Sequence, residues 1–363
     1  MSSSNGDLTS LHPYPARFIP AIPEAIIEIV QRYRKIRKLK LLDPFAGCGT
    51  VLTEGLKHGC DVVGIDINGL ANLLEKAYTT PTSKANLNQL SLLKNKVIDT
   101  ISKSEVGGDK DIPNIPHLDH WFDVDSAKTI SRSLNIINRE KSKKVRELGL
   151  LSVSRVLVKL SRQKSETQYV AVRKLLTHDQ KIKFLKDSFE TTVGFYSKRK
   201  KVTNKSLCIL GDSRDGKTYS HISKVDLVIT SPPYPNAYEY WLYHKYRMYW
   251  MGMDPIWSRS NEIGTRPHYS GSGKKDEWDF YSDIKKVIFQ LDKVTAKDAL
   301  QFWVVGNSVI KGRKIDNSKI IINVAKDIGW GNVATYRRRI NRHRSSFQGI
   351  GNKEFENILV FSR

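Results

Sequence analysis

Residues 38–66 constrain the fold of this chain more than any other segment. The apolar run KLLD (40–43) passes into PFAGCGT and then into VLTEGLKHG, which has helical spacing; DVVGID (61–66) follows as a second apolar run that stops at an acid. Strand, glycine-rich turn, helix and strand make one βαβ unit, and such units build parallel sheets with helices on their faces. Gly47 and Gly49 lie where the first strand hands over to the helix, which brings backbone N–H groups and a helix N-terminus toward a ligand. The spacing is not GxGxxG and no Lys precedes Thr50, so neither a dinucleotide fingerprint nor a phosphate loop is met. The glycines alone would also serve a tight βα turn. Asp66, roughly 20 residues further on, is placed to accept hydrogen bonds from both hydroxyls of a ribose, or else to cap the following helix.

A second motif adds chemistry. KVDLVI (224–229) is an apolar run that ends in TSPPY, Thr230 to Tyr234. Two prolines after a strand remove backbone donors and fix φ, so carbonyl oxygens project into a cleft with little loss of conformational freedom. Ser231 Oγ and the Pro232 carbonyl then form a rigid acceptor pair for one exocyclic NH2, Pro233 stiffens the turn, and Tyr234 offers a ring for a base to stack on. Tyr238, Tyr240 and Trp241 follow closely and either line the pocket or pack a helix, packing being the main reading. Strand-like SLCILGDSRD (206–215) and ALQFWVVGNS (299–308), helix-like YSDIKKVIFQLDKVT (281–295) and SKIIINVAKDIG (318–329), and a closing strand NILVFS complete an α/β pattern. Near the start, Ile26, Ile27, Ile29, Val30 and Tyr33 give EAIIEIVQRYRKIRK an amphipathic helical face.

Between 81 and 205 the texture changes to long polar segments with helical spacing, read as an insertion in the α/β domain formed by 1–80 and 206–363. Residues 81–206 hold 26 Lys and Arg against 13 Asp and Glu, while the whole chain has 60 against 37, a net charge of +23. A folded, strongly basic chain calls for a polyanionic partner. Three cysteines, Cys48, Cys60 and Cys208, have no CxxC spacing, which gives neither a disulfide framework nor a zinc site. No apolar run is long enough to span a membrane, and MSSSNGDLTSLHPYP has neither a basic n-region nor an apolar h-region. A cytoplasmic location, with no membrane partner, is expected.

The set DPFAGCGT, GID (64–66), GDSRD (211–215) and TSPPY resembles the amino-methylating DNA methyltransferases that use S-adenosylmethionine. The resemblance covers about 1–80 and 206–363. It implies a Rossmann-like, doubly wound, mostly parallel methyltransferase sheet carrying a helical insertion. It implies S-adenosylmethionine as cofactor, S-adenosylhomocysteine as product, and no metal. Residue by residue, the first motif places Asp43, Phe45, Ala46, Gly47, Gly49 and Thr50 at the methionine end of the cofactor, Asp66 with Ile67 at the ribose, and Asp212 with Ser213 at the adenine. Ser231, Pro232, Pro233 and Tyr234 fall on the catalytic motif. HPYPARF (12–18) resembles the element that closes over the methionine carboxylate and puts Tyr14 near it.

Ser before PPY is typical of the N4-cytosine enzymes of this family, Asp or Asn of the N6-adenine enzymes. The resemblance therefore implies methylation of the exocyclic N4 of cytosine in double-stranded DNA, with N6 of adenine or an RNA base as alternatives; a role beside a companion restriction endonuclease and a role as a solitary modifier both stay open. A DNA-binding module that kept the fold and lost the reaction is the alternative of a different class. Reaching an amine inside a duplex requires flipping the base out. The phosphate contacts are expected from the basic stretches: Lys143, Lys144 and Arg146 in 138–147, Lys198, Arg199 and Lys200 in 197–201, and Arg337, Arg338 and Arg339 in 337–344. Target recognition is expected first in the insertion and second in the loop 256–278, which by composition should order only on DNA. The order of elements departs from the family's common arrangements, because the insertion precedes the GD motif and no separate C-terminal recognition domain follows.

Overall fold

The computed structural model describes residues 11–15, 17–103, 112–166, 168–199, 203–235, 239–270, 272–339 and 355–363. They divide into two compact units. One comprises the described residues of 16–79, 203–241 and 256–363; the other those of 1–15, 80–202 and 242–255.

The first unit is built on seven strands: β1 (Lys40–Asp43), β2 (Asp61–Asp66), β5 (Ser206–Leu210), β6 (Val225–Thr230), β7 (Thr295–Gly306), β10 (Gly331–Arg339) and β11 (Phe355–Ser362). Their order is β10-β11-β7-β6-β1-β2-β5. The five strands from β5 to β7 are mutually parallel, while β11 runs antiparallel to β7 and β10 antiparallel to β11. This is the doubly wound α/β architecture that the βαβ unit demands. Its central strands are near-continuous apolar runs because helices cover the sheet: Leu41, Leu42, Val63, Ile65, Leu227, Val228 and Ile229 are all buried. Helix Glu277–Val294 lays Phe280, Ile284, Val287, Ile288 and Leu291 against Leu42, Val63, Val228, Trp303 and Leu359 in the main core. A small hairpin of β8 (Ser308–Ile310) and β9 (Arg313–Ile315) follows β7.

Three features differ from expectation. Helix Ala21–Arg34 buries Ile26, Ile27 and Val30 but leaves Ile29 63% and Tyr33 81% exposed, so its buried stripe is narrower than the five apolar positions implied. β7 starts at Thr295, ahead of the apolar run at 299. The arginines at 337–339 belong to β10, a strand exposed along most of its length.

The second unit holds helices Lys84–Ser102, Val124–Asn138, Lys143–Leu160 and His178–Ser197, packed on one another. Each begins at a side-chain cap that satisfies a backbone N–H with no partner inside the helix: Ser83 accepts from Asn86, Asp123 from Ser126, Ser142 from Val145 and Thr177 from Gln180. A hairpin of β3 (Gln163–Ser165) and β4 (Gln168–Ala171) completes it. The unit also takes in 11–15 and 242–255, segments outside the 81–205 insertion. Arg247, 1% exposed, explains the second: Nε donates to the Ser154 carbonyl at 2.9 Å and Nη2 reaches both oxygens of Glu166 at 2.7 Å. His12, also buried, meets Ser154 Oγ at 2.8 Å. Among the described residues no helix is long and apolar enough to cross a membrane.

Candidate active site

In an open parallel sheet, ligands bind outside the carboxyl ends of the strands, at the point where successive connections leave in opposite directions. Here that point lies between β1, which is followed by β2 and β5 on one side, and β6, which is followed by β7 on the other. Asp43 ends β1 and Thr230 ends β6. Thr230 Oγ1 donates to Asp43 Oδ1 at 2.6 Å, so the first motif and the SPPY turn are bonded across the switch point. Asp43 Oδ1 also accepts from the Phe45 N–H at 3.0 Å. Burial pushes the Asp43 carboxyl up to about 7, although both hydrogen bonds favour its charged form.

The glycine turn folds around Asp66. Gly47 N–H donates to Asp66 Oδ2 and Asn68 N–H to Oδ1, both at 2.8 Å. Ala46 N–H reaches the Ile65 carbonyl at 3.0 Å and Gly49 N–H the Ala46 carbonyl at 2.8 Å. Gly47 and Gly49 take φ of 55° and 82°, in the left-handed region that glycine enters without a Cβ penalty. Thr50, buried, then opens helix Thr50–Lys57, and Phe45 packs on the main core. Burial raises Asp66 to about 6. Ile67 follows β2, half-buried. Behind the turn Glu75 is fully buried, and burial with repulsion from Asp66 and Asp43 drives its carboxyl far above the ordinary range. Cys48 is buried and its thiol is pushed up by burial, the opposite of an activated nucleophile.

The GD loop closes the same crevice. Gly211 N–H donates to the Asp66 carbonyl at 3.0 Å, and Ser213 Oγ donates to the Pro44 carbonyl, binding the loop to the first motif. Asp212 is gripped by Arg214: Nε lies 3.0 and 3.1 Å from its two oxygens, and Nη2 2.7 Å from Oδ2. Arg214 in turn donates to Asp283 Oδ1 at 2.9 Å and to the Asn261 carbonyl at 2.6 Å.

At the SPPY turn, Tyr234 Oη donates to the Val304 carbonyl at 2.8 Å and lies 3.1 Å from Ser231 Oγ. Pro232 is buried; Ser231, Pro233 and Tyr234 are half-buried. The loop 256–278, expected to order only on DNA, is folded in its described residues, as helices Pro255–Asn261 and Arg266–Tyr269. Two contacts hold it. Arg214 binds Asn261, and Gly264 packs so closely on the turn that a Cβ there would fall 2.5 Å from the Tyr234 carbonyl oxygen. Glu262, buried, accepts the N–H groups of Tyr240 and Trp241 at 3.2 Å each, and burial pushes it up to about 8. Trp241 is buried beneath the Arg259 guanidinium, 5.3 Å from the ring centre, in a packing role; Tyr238 lies outside the described residues.

The structure thus gathers Asp43, Phe45, Ala46, Gly47, Gly49, Thr50, Asp66, Asp212, Ser213 and Ser231 to Tyr234 within one unit at one end of one sheet. Tyr14 belongs to the helical unit, its ring stacked 4.8 Å from His244. Arg214, Glu262 and Gly264 were not anticipated. The first could have been noticed between the two acids of GDSRD; the others serve partners more than 20 residues away and carry no local signal.

The basic residues are less uniform. Lys143, Lys198, Arg337 and Arg339 are exposed. Lys144 reaches the Thr80 carbonyl and sits over the Tyr196 ring, Arg146 donates to the Glu140 carbonyl at 2.7 Å, and Arg338 is paired with Glu356. Arg199 is half-buried, and burial lowers its pKa. Lys200 and residues 340–344 lie outside the described residues.

The chain is 25% identical over 382 residues to the Type II methyltransferase M.MvaI of Kocuria varians, across 92% of this chain and 84% of that protein. It is 20% identical over 386 residues to the Type II methyltransferase M.MjaII of Methanocaldococcus jannaschii, across 82% and 71%. Among solved structures, TrmN from Thermus thermophilus matches with a TM-score of 0.36 at 7% identity, covering 94% of this chain and 48% of that one. A SAM-dependent methyltransferase from Methanosarcina mazei matches at 0.37 and 10% identity, covering 92% and 96%. No family model matches the chain.

Proposed function

We propose that this chain is a DNA methyltransferase that transfers a methyl group from S-adenosylmethionine to the exocyclic N4 amino group of cytosine. The observation that carries the reading is the joining of the SPPY turn to the glycine turn by the Thr230–Asp43 hydrogen bond at the switch point of the sheet. Similarity to two Type II methyltransferases over most of the chain supports methyl transfer.

The crevice fits a nucleoside cofactor by its own polar atoms. Each Asp66 oxygen spends one lone-pair direction on a backbone N–H and keeps another for a ribose hydroxyl. Asn68 Nδ2 and Asn72 Nδ2, both buried, have no hydrogen-bond partner among the described residues, a state that normally marks a missing polar neighbour. Asp43 to Thr50 would hold the methionine end, Asp66 and Ile67 the ribose, and Asp212 with Ser213 the adenine. The cofactor supplies an electrophilic methyl on a sulfonium.

An exocyclic amine is a poor nucleophile because its lone pair is delocalised into the ring. Ser231 Oγ and the Pro232 carbonyl, accepting its two N–H bonds, favour a tetrahedral nitrogen whose lone pair stands out of the ring plane. Catalysis is then positioning and preorganised electrostatics. The flipped base stacks on Tyr234. Exposed Lys143, Lys198, Arg337 and Arg339, with the neighbouring cations Lys144, Arg146, Arg199, Lys200 and Arg338, supply backbone contacts to double-stranded DNA. A companion restriction endonuclease is a candidate partner in the cell, a solitary modifying role the alternative.

Incubating the protein with DNA and isotopically labelled S-adenosylmethionine, followed by mass spectrometry of the nucleosides, tests this directly. N4-methylcytosine is expected. Labelled N6-methyladenine without N4-methylcytosine would overturn the target base, and no label in any nucleoside would overturn the function.

A further inference from the structure

A serine hydroxyl is ambivalent. It can accept a hydrogen bond from an amine or donate one to a carbonyl, and a turn that must choose an amino substituent gains nothing from a group that welcomes both. The SPPY turn removes the ambivalence by proton accounting. Tyr234 has one phenolic proton, and it goes to the Val304 carbonyl at 2.8 Å, which has none to return. Ser231 Oγ lies 3.1 Å from the same phenolic oxygen. With the tyrosine proton committed, the proton in that contact must be the serine's. Ser231 is then left with lone pairs alone for anything else in the crevice. Burial keeps the phenol protonated well above its ordinary range, so the arrangement persists at every working pH. Val304 lies in β7, which is parallel to and paired with β6, so the acceptor that fixes the chain is part of the sheet.

We propose that the Tyr234 hydroxyl is a positioning group that turns Ser231 into a pure acceptor, and that this selects a target base bearing an amino group over one bearing a carbonyl at the same position. The inference rests on the function proposed above and deepens it. An ionised Asp in place of Ser231 would present acceptor oxygens unaided, whereas serine needs its proton drawn away. A bond donated by Ser231 also polarises its oxygen and strengthens it as an acceptor.

The test compares Tyr234→Phe, which keeps the ring, with the unaltered protein. The duplex is one that the protein methylates, with the target cytosine placed opposite an abasic position so that unpairing costs the same in every arm. Its counterpart carries uracil, which has a carbonyl where cytosine has the amine. The unaltered protein is expected to bind the cytosine duplex at least ~10-fold more tightly, since a site built for one polar group rejects its complement. Tyr234→Phe is expected to shrink that ratio about fivefold or more, because Ser231 becomes able to donate to the uracil carbonyl. Loss of packing alone would weaken both duplexes equally, so an unchanged ratio overturns the inference. A second arm uses Ser231→Asp, whose ionised carboxylate has no proton to steer. There Tyr234→Phe should lower kcat far less than the ~10-fold or greater fall expected with Ser231 present; an equal loss in both backgrounds overturns the inference as well. Absence of methyl transfer by the unaltered protein would instead overturn the function on which it rests.

Discussion

Replacing Arg214 by Met should separate what holds the 211–215 loop together from the recognition of S-adenosylmethionine proposed for it. The guanidinium bridges Asp212, Asp283 and the Asn261 carbonyl with five contacts between 2.6 and 3.1 Å. Its side chain is 16% exposed, against 26% for Asp212 and 9% for Asp283. Burial works against its charge, yet the bonds to Asp212 and Asp283 hold its pKa above the ordinary value. Methionine keeps the apolar stem and removes every donor. Asp283 is left buried, with Lys275 no nearer than 3.9 Å. Removing one partner of a buried pair costs about 3–5 kcal/mol, and the partial exposure of Asp212 puts this case near 3. For a unit of this size, about 2–4 °C of melting temperature accompanies each kcal/mol, so Tm should fall by roughly 6–12 °C. The double variant Arg214→Met/Asp283→Leu removes the stranded charge and should recover at least half of that loss. Neither variant restores the grip on Asp212, so both should bind S-adenosylmethionine about 10-fold more weakly, the worth of one charge-assisted hydrogen bond to a loop no longer held. Circular-dichroism melts and calorimetric titration measure the two quantities independently. A single variant melting within ~2 °C of the unaltered protein would refute the stability estimate, and a double variant regaining cofactor affinity along with Tm would show that Arg214 does not act through Asp212.

Gly264→Ala asks for a φ of 79° from a residue with a Cβ and sets that Cβ 2.5 Å from the Tyr234 oxygen; strain of about 1–3 kcal/mol at the catalytic turn should lower kcat by ~10-fold or more with cofactor affinity held, as paired kinetics and titration would show. Glu262→Gln tests a pH dependence of stability. The folded carboxyl titrates near about 8 instead of 4.5, so its contribution to stability is complete below the unfolded value and is lost as pH rises through 8. Glutamine keeps the acceptor for Tyr240 and Trp241 without titrating, so the variant should melt above the unaltered protein at alkaline pH and lose that advantage in acid; parallel melting curves at every pH would contradict the assignment.

The parts of this structure legible in the sequence are those where one residue's environment is set by its near neighbours. The βαβ unit announces itself because the middles of β1 and β2, Leu41–Leu42 and Val62–Ile65, are buried and without polar side chains, and because the turn between them needs residues that accept positive φ. The SPPY turn is legible for the same reason, since two prolines act on their own backbone. β10 is not: an edge strand with most of its residues exposed needs no apolar alternation, and Arg337 to Arg339 read as a charged surface. Ile29 and Tyr33 fit a helical stripe but lie at its margin, where periodicity cannot tell a buried face from its edge. Arg214, Glu262 and Gly264 matter through Asp283, Tyr240 and Tyr234, distances along the chain over which spacing carries no information. The SPPY motif itself was legible, but the bond from Tyr234 Oη to the Val304 carbonyl, on which the proposed acceptor role of Ser231 depends, reaches a residue of β7 that no local spacing announces.

The carboxyls around the crevice lead to a prediction about charge. Asp43 titrates near about 7, Asp66 near about 6 and Glu262 near about 8, with Glu75 well above its ordinary range. Burial is the main cause in each, and repulsion from Asp66 adds to it in Asp43, Glu75 and Glu262. The crevice therefore resists collecting negative charge when no cation is present. S-adenosylmethionine carries a sulfonium; S-adenosylhomocysteine is the same molecule without the methyl and the charge. A cation among these groups favours their ionised forms, so binding the first should release protons that binding the second does not. By linkage, each proton released raises affinity by up to ~10-fold per pH unit across the window where the free carboxyls titrate. Between about pH 6 and 8 the preference for S-adenosylmethionine over S-adenosylhomocysteine should grow by roughly 10-fold if a single proton is displaced on average over half that span. The cofactors' own amino groups titrate too, but equally for every protein variant. Asp43→Asn keeps an acceptor for Thr230 and Phe45 while abolishing one titration, so the growth in preference should be smaller in the variant, as calorimetry across the pH series would measure. Identical pH profiles for the two proteins would mean that Asp43 does not feel the cofactor's charge, and that its raised pKa reflects burial behind the turn and nothing of the chemistry in front of it.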